Sequence, residues 1–400
     1  MLKAIKSSPL VHAVYASMFL PFLRAQPLSS STFGPAKGMH PGLPEWLEER
    51  SRPGAVLSGR LHSLGDGHST PSRNAPPVVA IPRMPPELLT HAEHSIPRLY
   101  VAELIAARLA TRYIEVISPD DRLFRDLGYS QMDGEVGFAS LTRPWLPRLQ
   151  RHTGTFAVIN TGRMANYYHW LNDCLPRLWL LEQQPEREFR LVIPTQTSPF
   201  HLESLSLLGF DADRLAPFGN RHWQVERLLV PSLVNQAAQT NPAATRWLRG
   251  KLLTALRPAG TKCGRRLYIS RRFATKRRLV NEGEVIDLLK GRGFEEVASE
   301  NLTFAEQVRL FSEAEIVVGP HGAGLTNVMF MPTGGLLVEL LAHRRVKPCY
   351  FSLASAVGVR YACVSDAPDD KDAVCTGRQA DTNFSIPLER VKLVLDELRV

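Results

Sequence analysis

Residues 315–339 give the clearest indication of the fold, and they read EIVVGPHGAGLTNVMFMPTGGLLVE. An apolar run from Ile316 to Val318 stops at Gly319-Pro320. A glycine-rich turn, a short helical stretch and a second apolar run ending on Glu339 follow. This order of strand, turn, helix and strand directs bare backbone N–H groups and a helix N-terminus toward an anion, and glycines leave room for a phosphate. The spacing is not GxGxxG, so the stretch predicts either an anion site or a tight structural turn, not a generic dinucleotide fingerprint.

Length and charge set the limits. A chain of 400 residues suits two globular domains, because single cores stop growing at roughly 250–300 residues. The net charge of +9 predicts an anionic ligand or surface, but it does not by itself separate a nucleotide from nucleic acid or acidic lipid. The five cysteines are scattered without metal-ligand spacing, which favours reduced thiols in a reducing compartment.

The first 97 residues are predicted to form an irregular extension, because 14 of the 30 prolines fall before residue 100. The apolar stretch Leu10–Leu23 superficially resembles a signal sequence, but it is short and is interrupted by His12 and Pro21. We therefore expect a cytoplasmic protein, and a peripheral contact with the inner face of the membrane stays open.

Beyond Leu99, strand-like and helix-like patterns alternate in both halves of the chain, with a linker near residues 258–264. The pattern predicts two α/β sheets with ligands at the carboxyl ends of the strands. The expected units are an extension (1–97), an amino-terminal acceptor domain (98–258) and a carboxyl-terminal donor domain (259–400). The expected elements include strands Thr155–Asn160, Phe189–Ile193, Arg227–Val230, Leu267–Ser270 and Glu295–Val297, and helices Tyr167–Glu182, Leu202–Leu208, Asn241–Leu256, Asn281–Arg292, Phe304–Ser312 and Pro387–Leu398.

A basic segment follows the linker and contains no acidic residue. Its members are Lys262, Arg265, Arg266, Arg271, Arg272, Lys276, Arg277 and Arg278. Arg271 and Arg272 come directly after the predicted strand Leu267–Ser270, at its carboxyl end. Guanidinium groups pair bidentately with phosphate oxygens, so a diphosphate is a natural ligand. The alternative is a solvated basic loop, or one that contacts nucleic acid.

A third segment, residues 166–180, reads NYYHWLNDCLPRLWL. At helical spacing, Asn166, His169, Asp173 and Arg177 share one arc, while leucines face the opposite side. Pro176 is expected to kink this helix. Aromatic residues (Tyr167, Tyr168 and Trp170) flank the arc, and this mixture suits the wall of a sugar-binding cleft, although a solvent-exposed surface gives the same pattern. His169 and Asp173, one turn apart, would couple as a base and its orienting carboxylate, and which of them takes the proton stays open.

Three segments together resemble glycosyltransferase family 61. They are NYYHWLNDCLPRLWLL, LYISRRFATKRRLVNEGEV and LTFAEQVRLFSEAEIVVGPHGAGLTNVMFMPTGGLLVEL. The resemblance covers about residues 99–364. It implies a GT-B-like architecture, in which two Rossmann-like domains face each other across a cleft, and inverting transfer from a nucleotide sugar.

The resemblance also implies roles for individual residues. The HGAGL-x-N donor loop corresponds to His321, Gly322, Ala323, Gly324, Leu325 and Asn327. Arg271 and Arg277 match the basic positions of the ISRR…R segment, Glu282 its NE pair, and Glu339 the acidic residue that ends the next strand. His169 and Asp173 match the HW-x-x-D element.

From these features we expect sugar transfer from a nucleotide sugar, with UDP taken from the habit of the family, to a hydroxyl of a glycan or lipid-linked glycan, in bacterial surface polysaccharide synthesis. His169 or Asp173 would be the base. Asn166, Trp170 and Arg177 would contact the acceptor, and Glu339 the ribose hydroxyls. We expect no cofactor and no metal, because Asp120-Asp121 and Asp369-Asp370 lie in apparent loops and not at a strand end.

Two alternatives differ in class. The basic segment would also suit a non-catalytic module that binds nucleic acid or an anionic polymer, and such binding weakens steeply with salt. No helix-turn-helix, RRM or zinc pattern supports it, and we expect no nucleic-acid partner. A phospho- or sulfotransferase would use a similar anion loop, but the GxxxxGK[ST] motif is missing.

Overall fold

The computed structural model describes residues 36–50, 59–65, 69–127, 139–142, 145–185, 187–236, 238–256, 263–368 and 383–400. The apolar stretch Leu10–Leu23, Lys262, Asp369-Asp370 and most of the expected linker lie outside these residues. Within the described parts of the chain, each helix is too short or too polar to cross a membrane.

The secondary structure alternates between strands and helices, as the sequence predicts. The strands are β1 (Met39–His40), β2 (Gly59–Leu64), β3 (Thr70–Arg73), β4 (Val79–Ile81), β5 (Glu93–Ile96), β6 (Leu99–Ile105), β7 (Arg108–Ala110), β8 (Glu115–Ile117), β9 (Leu123–Phe124), β10 (Gln150–Ala157), β11 (Arg190–Pro194), β12 (Leu215–Phe218), β13 (His222–Pro231), β14 (Arg265–Ile269), β15 (Glu295–Val297), β16 (Ala314–Pro320), β17 (Leu336–Leu341) and β18 (Arg360–Ser365). The α-helices are α1 (Leu43–Arg50), α2 (Pro86–Leu89), α3 (Ala139–Thr142), α4 (Tyr167–His169), α5 (Leu178–Glu182), α6 (Pro199–Leu207), α7 (Pro242–Leu256), α8 (Glu282–Lys290), α9 (Phe304–Ser312), α10 (Cys349–Val357) and α11 (Leu388–Glu397).

The first sheet is mixed. Its parallel part runs in the order β13-β10-β11-β12, and β13 then pairs antiparallel with β6 and β7. The second sheet is entirely parallel, in the order β15-β14-β16-β17-β18-β4. Parallel strands that are covered on both faces require apolar residues at successive positions, and the run from Ile316 to Val318 meets this requirement.

Successive residues of the second sheet enter different cores. Leu267, Ile269 and Val317 pack with the helices that lie toward the first sheet, whereas Tyr268 and Ile316 pack on the opposite face. The core toward the first sheet also contains apolar residues of β10, β11 and β13, so the two sheets share it through the intervening helices.

Polar contacts also join the halves of the chain. The Tyr167 hydroxyl donates to Asn327 Oδ1 at 2.7 Å. The Glu203 carboxylate accepts from the backbone N–H groups of Phe304 and Ala305, each at 2.9 Å, at the N-terminus of α9. A carboxylate at a helix N-terminus satisfies orphan donors and complements the helix dipole. The mixed α/β class predicted from the sequence is therefore confirmed, while the GT-B-like arrangement stays a prediction.

The described part of the predicted extension contributes to both sheets. β2 pairs antiparallel with β6 in the first sheet, and β4 pairs parallel with β18 at the edge of the second. The sequence predicted an irregular segment here. It did not reveal these strands, because short edge strands in a proline-rich region carry too few residues for a periodic pattern. Edge positions tolerate such prolines, since an edge strand leaves one row of backbone donors unpaired.

Candidate functional site

The carboxyl edge of the second sheet gathers most of the predicted donor residues. Ser270 and Arg271 follow β14, Ser299 lies just beyond β15, and His321 follows β16. Because the strands are parallel, their carboxyl ends meet at one edge, where α/β proteins bind ligands. The predicted helical stretch is present as a 3-10 helix, Ala323–Phe330, whose N-terminus lies at this edge.

His321 is held by a buried carboxylate. Its Nδ1 lies 2.6 Å from Glu339 Oε1, and Glu339 Oε2 accepts from the Tyr361 hydroxyl at 2.6 Å. The contact at Nδ1 is a hydrogen bond to a carboxylate oxygen in the tautomer that carries its proton on Nδ1, and that tautomer leaves Nε2 free to accept. Burial, followed by the charge of Glu339, raises the pKa of Tyr361 well above its ordinary value, so the hydroxyl remains a donor.

His169 is held in the same way on the other half of the chain. Its Nδ1 lies 2.6 Å from Asp173 Oδ2, and Asp173 Oδ1 accepts from Asn172 Nδ2 at 3.0 Å. The predicted coupling of His169 with Asp173 is therefore present in the structure. Asn172 was not identified from the sequence, because an amide on the buried side of a helix resembles any other core-facing position.

The helix that carries this pair is not regular. It begins as α4, widens to a π-helix at Trp170–Cys174, narrows to a 3-10 turn at Leu175–Arg177 and ends as α5. The Leu175 N–H bonds to the carbonyl of Trp170, five residues back. Pro176 has no N–H to offer the carbonyl of Asn172, and Asn235 Nδ2 donates to that carbonyl instead. The expected kink at Pro176 thus takes the form of a π turn, a feature often found at functional sites.

Two tyrosine rings connect the two histidines, and we call the four rings of His169, Tyr168, Tyr350 and His321 the aromatic row. Successive ring centroids lie 5.2, 5.8 and 5.0 Å apart. These are contact distances for edge-to-face rings. Tyr350 comes from α10 and was not identified from the sequence. The row places the two histidine–carboxylate pairs beside one another, one from each half of the chain.

Arg271 packs against the glycine-rich turn. A Cβ built on Gly322 would lie 1.9 Å from Arg271 Nη1, so only glycine permits this approach. Glu282 fixes the strand end from which Arg271 extends, because its Oε1 accepts from the Arg271 N–H at 2.7 Å and from the Ser270 hydroxyl at 3.1 Å. Burial, followed by the charge of Arg277, lowers the pKa of Arg271 from its ordinary value. An arginine nevertheless stays cationic.

Two arginines of the basic segment are paired with carboxylates. Arg265 pairs with Glu295 and with Glu313, and Arg272 pairs with Glu296. Arg271 and Arg277 have no carboxylate within ion-pair distance among the described residues. Arg277 also has a φ of 56°, a left-handed conformation that is uncommon for a non-glycine residue and typical of a constrained turn. These two guanidiniums are the ones that the sequence assigned to the donor.

A small cavity lies beside Arg271. It has a volume of about 50 Å³ and is bordered by Ser270, Arg271, Ser299, Glu300, Gly322 and Gly324, among others. A larger cavity of about 650 Å³ lies beside the amino end of β11, and its lining includes Phe189, Arg190, Phe210 and Trp247. None of the predicted site residues borders the larger cavity. We therefore place the candidate site at the strand carboxyl ends, where the chemistry-bearing residues converge.

Three predicted contacts with the acceptor are not supported by the positions of the side chains. Trp170 is fully buried and its Nε1 donates to Ser204 Oγ at 2.9 Å. Arg177 is 3% exposed and donates to the backbone carbonyls of Pro231 and Asn160. Asn166 is exposed, but its side-chain oxygen caps α4 by accepting the Tyr168 N–H. The π turn shifts the phase of the helix, so the arc predicted at 100° per residue does not stay on one face.

Two residues that were predicted to contact the donor, Asn327 and Glu339, are buried in the structure. Asn327 is fully buried, and its side chain is shared between Tyr167, Gln307 and the carbonyl of Gly324. Glu339 is fully buried as well, so it orients His321 and cannot reach ribose hydroxyls. Leu325 is buried in the core, whereas Ala323 and Gly324 stay partly exposed at the turn. Polar residues in a motif can serve its architecture, and sequence position alone does not show which of them face a ligand.

The described residues contain no group of three or more His, Cys, Asp or Glu arranged to hold a metal ion. The two histidine–carboxylate pairs are each satisfied by hydrogen bonds. Independence from metal stays a prediction.

Comparison with known proteins matches the part of the chain that contains His169, Arg271 and His321 to a protein family. Residues 167–338 match the model described as Glycosyltransferase 61. The EGF domain-specific O-linked N-acetylglucosamine transferase of Gallus gallus is 33% identical over 108 residues, which are 26% of this chain and 20% of that protein. The protein of the same name from Drosophila melanogaster is 37% identical over 98 residues, 24% of this chain and 18% of that protein. The matches thus cover about a fifth of each relative. The resemblance inferred from the sequence is confirmed for this segment.

Proposed function

We propose that this chain, which carries the segment of a glycosyltransferase of family 61, transfers a sugar from a nucleoside diphosphate sugar to a hydroxyl of a glycan or lipid-linked glycan. We propose UDP as the nucleotide and inversion at the anomeric carbon as the outcome. The relatives named above are N-acetylglucosamine transferases by name, which makes UDP-N-acetylglucosamine the first donor to test.

The observation that carries this proposal is the convergence of two histidine–carboxylate pairs on an arginine-lined glycine turn. His169 comes from the first half of the chain, and His321 and Arg271 come from the second. Group transfer requires a base near the acceptor and positive charge near the leaving group. The aromatic row keeps these two requirements within one region of the molecule.

The proton and charge movements follow from this geometry. His169 Nε2 takes the proton of the acceptor hydroxyl while Asp173 holds the Nδ1–H. The acceptor oxygen forms a bond to the anomeric carbon, and the bond from that carbon to the phosphate oxygen breaks. A single displacement of this kind inverts the anomeric centre. The leaving diphosphate gains negative charge, which Arg271, Arg277 and the N-terminus of the 3-10 helix Ala323–Phe330 stabilise.

The rival function as a binder of nucleic acid is weakened by the ion pairs of the basic segment. Arg265 and Arg272 each face glutamates, so these cations are partly compensated before any polyanion arrives. A polyanion-binding surface would depend on such exposed cations. The donor site instead depends on Arg271, which is half-buried and packs on Gly322.

This contrast defines the test. Arg271→Gln should weaken binding of UDP or UDP-sugar roughly ten- to a hundredfold, because a hydrogen bond to a charged group is worth about 1.5–3 kcal/mol. Arg272→Gln, the neighbouring control, removes a cation already paired with Glu296 and should leave the affinity nearly unchanged. Calorimetry gives the affinities, and NMR of the product gives the anomeric configuration. Equal losses in the two variants, or binding that tracks salt and not nucleotide, would favour the polyanion rival.

Metal independence is tested in the same assay. We expect the rate of transfer to persist after treatment with EDTA, because arginines and helix N–H groups supply the positive charge. Loss of transfer that is restored by Mg²⁺ or Mn²⁺ would contradict this part of the proposal.

A further inference from the structure

We propose that Ser299 forms a phosphate subsite together with Arg271 and the turn at Gly322–Gly324, so that its hydroxyl donates to a phosphate oxygen of the donor. This inference rests on the proposed function, because it assigns a role to a further residue of the same site. Neither the motif segments nor the sequence pattern singled out Ser299.

The Ser299 hydroxyl is buried without a partner. The residue is 6% exposed, and its Oγ has no hydrogen-bond partner among the described residues. Most buried polar groups in proteins have a hydrogen-bond partner, because leaving one unsatisfied destabilises the fold, so such an atom calls for an explanation. An incoming acceptor would satisfy it. Arg271 Nε, on the same cavity, is also buried and unpaired.

Ser299 points into the cavity at the turn. A Cβ built on Gly324 would lie 3.3 Å from Ser299 Oγ, which places the hydroxyl over the N-terminus of the 3-10 helix. Hydroxyl, guanidinium and helix N-terminus therefore border one space. All three donate hydrogen bonds or carry positive charge, and an anion is the ligand that such a set recognises.

The size of the cavity indicates which part of a donor it would hold. Its volume of about 50 Å³ is several times the roughly 10–15 Å³ that a single water requires by this measure. It is far below the roughly 300–1,000 Å³ of sites that enclose a whole small ligand. The cavity therefore suits one phosphate group, with the nucleoside and the sugar lying outside it.

Ser270 offers a comparison within the same cavity. Its hydroxyl donates to Glu282 at 3.1 Å and accepts from the Arg272 N–H at 3.3 Å, so it has no need of a ligand. Glu300 also borders the cavity, but it is exposed to solvent. Among the side chains described at this cavity, the Ser299 hydroxyl thus joins Arg271 Nε as a polar group that is buried without a partner.

The test compares two ligands that differ only in phosphate. Ser299→Ala should raise the Kd for UDP roughly tenfold or more, measured by calorimetry, because one hydrogen bond to a charged group is lost. Its effect on uridine, followed by ligand-observed NMR, should be small. Ser299→Val replaces the hydroxyl with two methyl groups, which occupy more of the cavity, and should reduce UDP binding further. Thermal unfolding without ligand serves as the control for folding.

Unchanged UDP affinity in Ser299→Ala, with the wild-type protein binding UDP, would overturn the subsite and leave the proposed function intact. An equal loss of uridine binding would also overturn it, since the hydroxyl would then not act through phosphate. If the wild-type protein binds neither UDP nor inorganic pyrophosphate, the proposed donor site and the subsite both fail. Pyrophosphate binding that depends on Ser299, without nucleotide binding, would keep the subsite and contradict the proposed donor.

Discussion

The two histidine–carboxylate pairs have the same local geometry and different surroundings. In each, Nδ1 lies 2.6 Å from a carboxylate oxygen. Asp173 is one helical turn from His169 and is supported by the neighbouring amide of Asn172. Glu339 lies on β17, its strand register places it beside Gly319, and it is fully buried between His321 and Tyr361.

This difference suggests that the His169–Asp173 pair is suited to proton transfer and that the His321–Glu339 pair stabilises the fold. A pair formed within one helix can be retained whether or not a substrate is bound. A pair that bridges strands contributes to the assembly of the sheet edge, because Glu339 on β17 joins His321, which follows β16, to Tyr361 on β18. We therefore expect substitutions in the first pair to act mainly on turnover and substitutions in the second to act mainly on stability.

The largest expected effect is that of His169→Gln. Removal of a general base lowers turnover by about 10²–10⁴-fold. Affinity for UDP should be retained, because the donor residues lie on the other half of the chain. Steady-state kinetics and calorimetry measure the two quantities separately.

His40→Gln is the matched control for that substitution. His40 also contacts a carboxylate, with Nε2 at 3.1 Å from Asp120, but it lies on β1 at an edge of the first sheet. Its replacement should leave turnover within about twofold once stability is taken into account. Normal turnover in His169→Gln would remove His169 as the base and end the division of roles between the pairs.

Substitutions of the two carboxylates are expected to have smaller effects, one on turnover and the other on stability. Asp173→Asn should lower turnover roughly ten- to a hundredfold with little change in unfolding free energy, since the imidazole loses its charged partner. Glu339→Gln should lower the free energy of unfolding by about 1–3 kcal/mol, because a fully buried acceptor is replaced by a group that also donates. Chemical denaturation and kinetics on both variants test the contrast. The reverse pattern would assign the proton transfer to His321.

The first pair could be predicted from sequence because an i, i+4 spacing on a helix fixes proximity. For the second pair, the sequence predicted that both residues lie at the edge of the sheet, but it did not predict that Glu339 contacts His321. Glu339 was predicted to meet ribose, whereas the register of β16 with β17 and the nearby Tyr361 of β18 place it inside the core. Tyr350 and Tyr361 are joined to the site only by tertiary packing, and no local pattern marks them.

The prediction of the fold had the same limit, because local sequence patterns do not show tertiary packing. The helix Phe304–Ser312, whose apolar residues recur at helical spacing, was predicted with the bounds that the structure shows, and so was the short strand Glu295–Val297. The helix at Tyr167–Glu182 was predicted as continuous, and one proline converted part of it to a π turn. That change of phase moved Arg177 into the core, and Trp170, the first residue of the π turn, is buried as well. An error of a fraction of a turn is enough to exchange a cleft wall for a buried face.

A third histidine extends the comparison to a cationic neighbour. His222 is fully buried beside Arg108 instead of a carboxylate, and burial followed by the charge of Arg108 lowers its pKa to about 4. Its unfolded value is near 6.5, so the unfolded chain binds the proton more readily between these values. The free energy of unfolding should therefore fall as the pH is lowered from about 6.5 toward 4.

Denaturation at a series of pH values measures this slope, and His222→Gln should make it shallower. Gln keeps a donor and an acceptor but does not titrate. An unchanged slope in the variant would show that other groups dominate acid unfolding.

The smallest expected effect is that of Asn166→Ala, at the start of the helix that carries the first pair. Loss of an N-cap typically costs about 1 kcal/mol, because the Tyr168 N–H loses its acceptor. The melting temperature should fall modestly, and the KM for the acceptor should change little. Asn166→Asp, which retains the cap, should restore the stability. A raised acceptor KM in both variants would instead return Asn166 to the substrate contact predicted from the sequence, and would extend the first pair toward the acceptor.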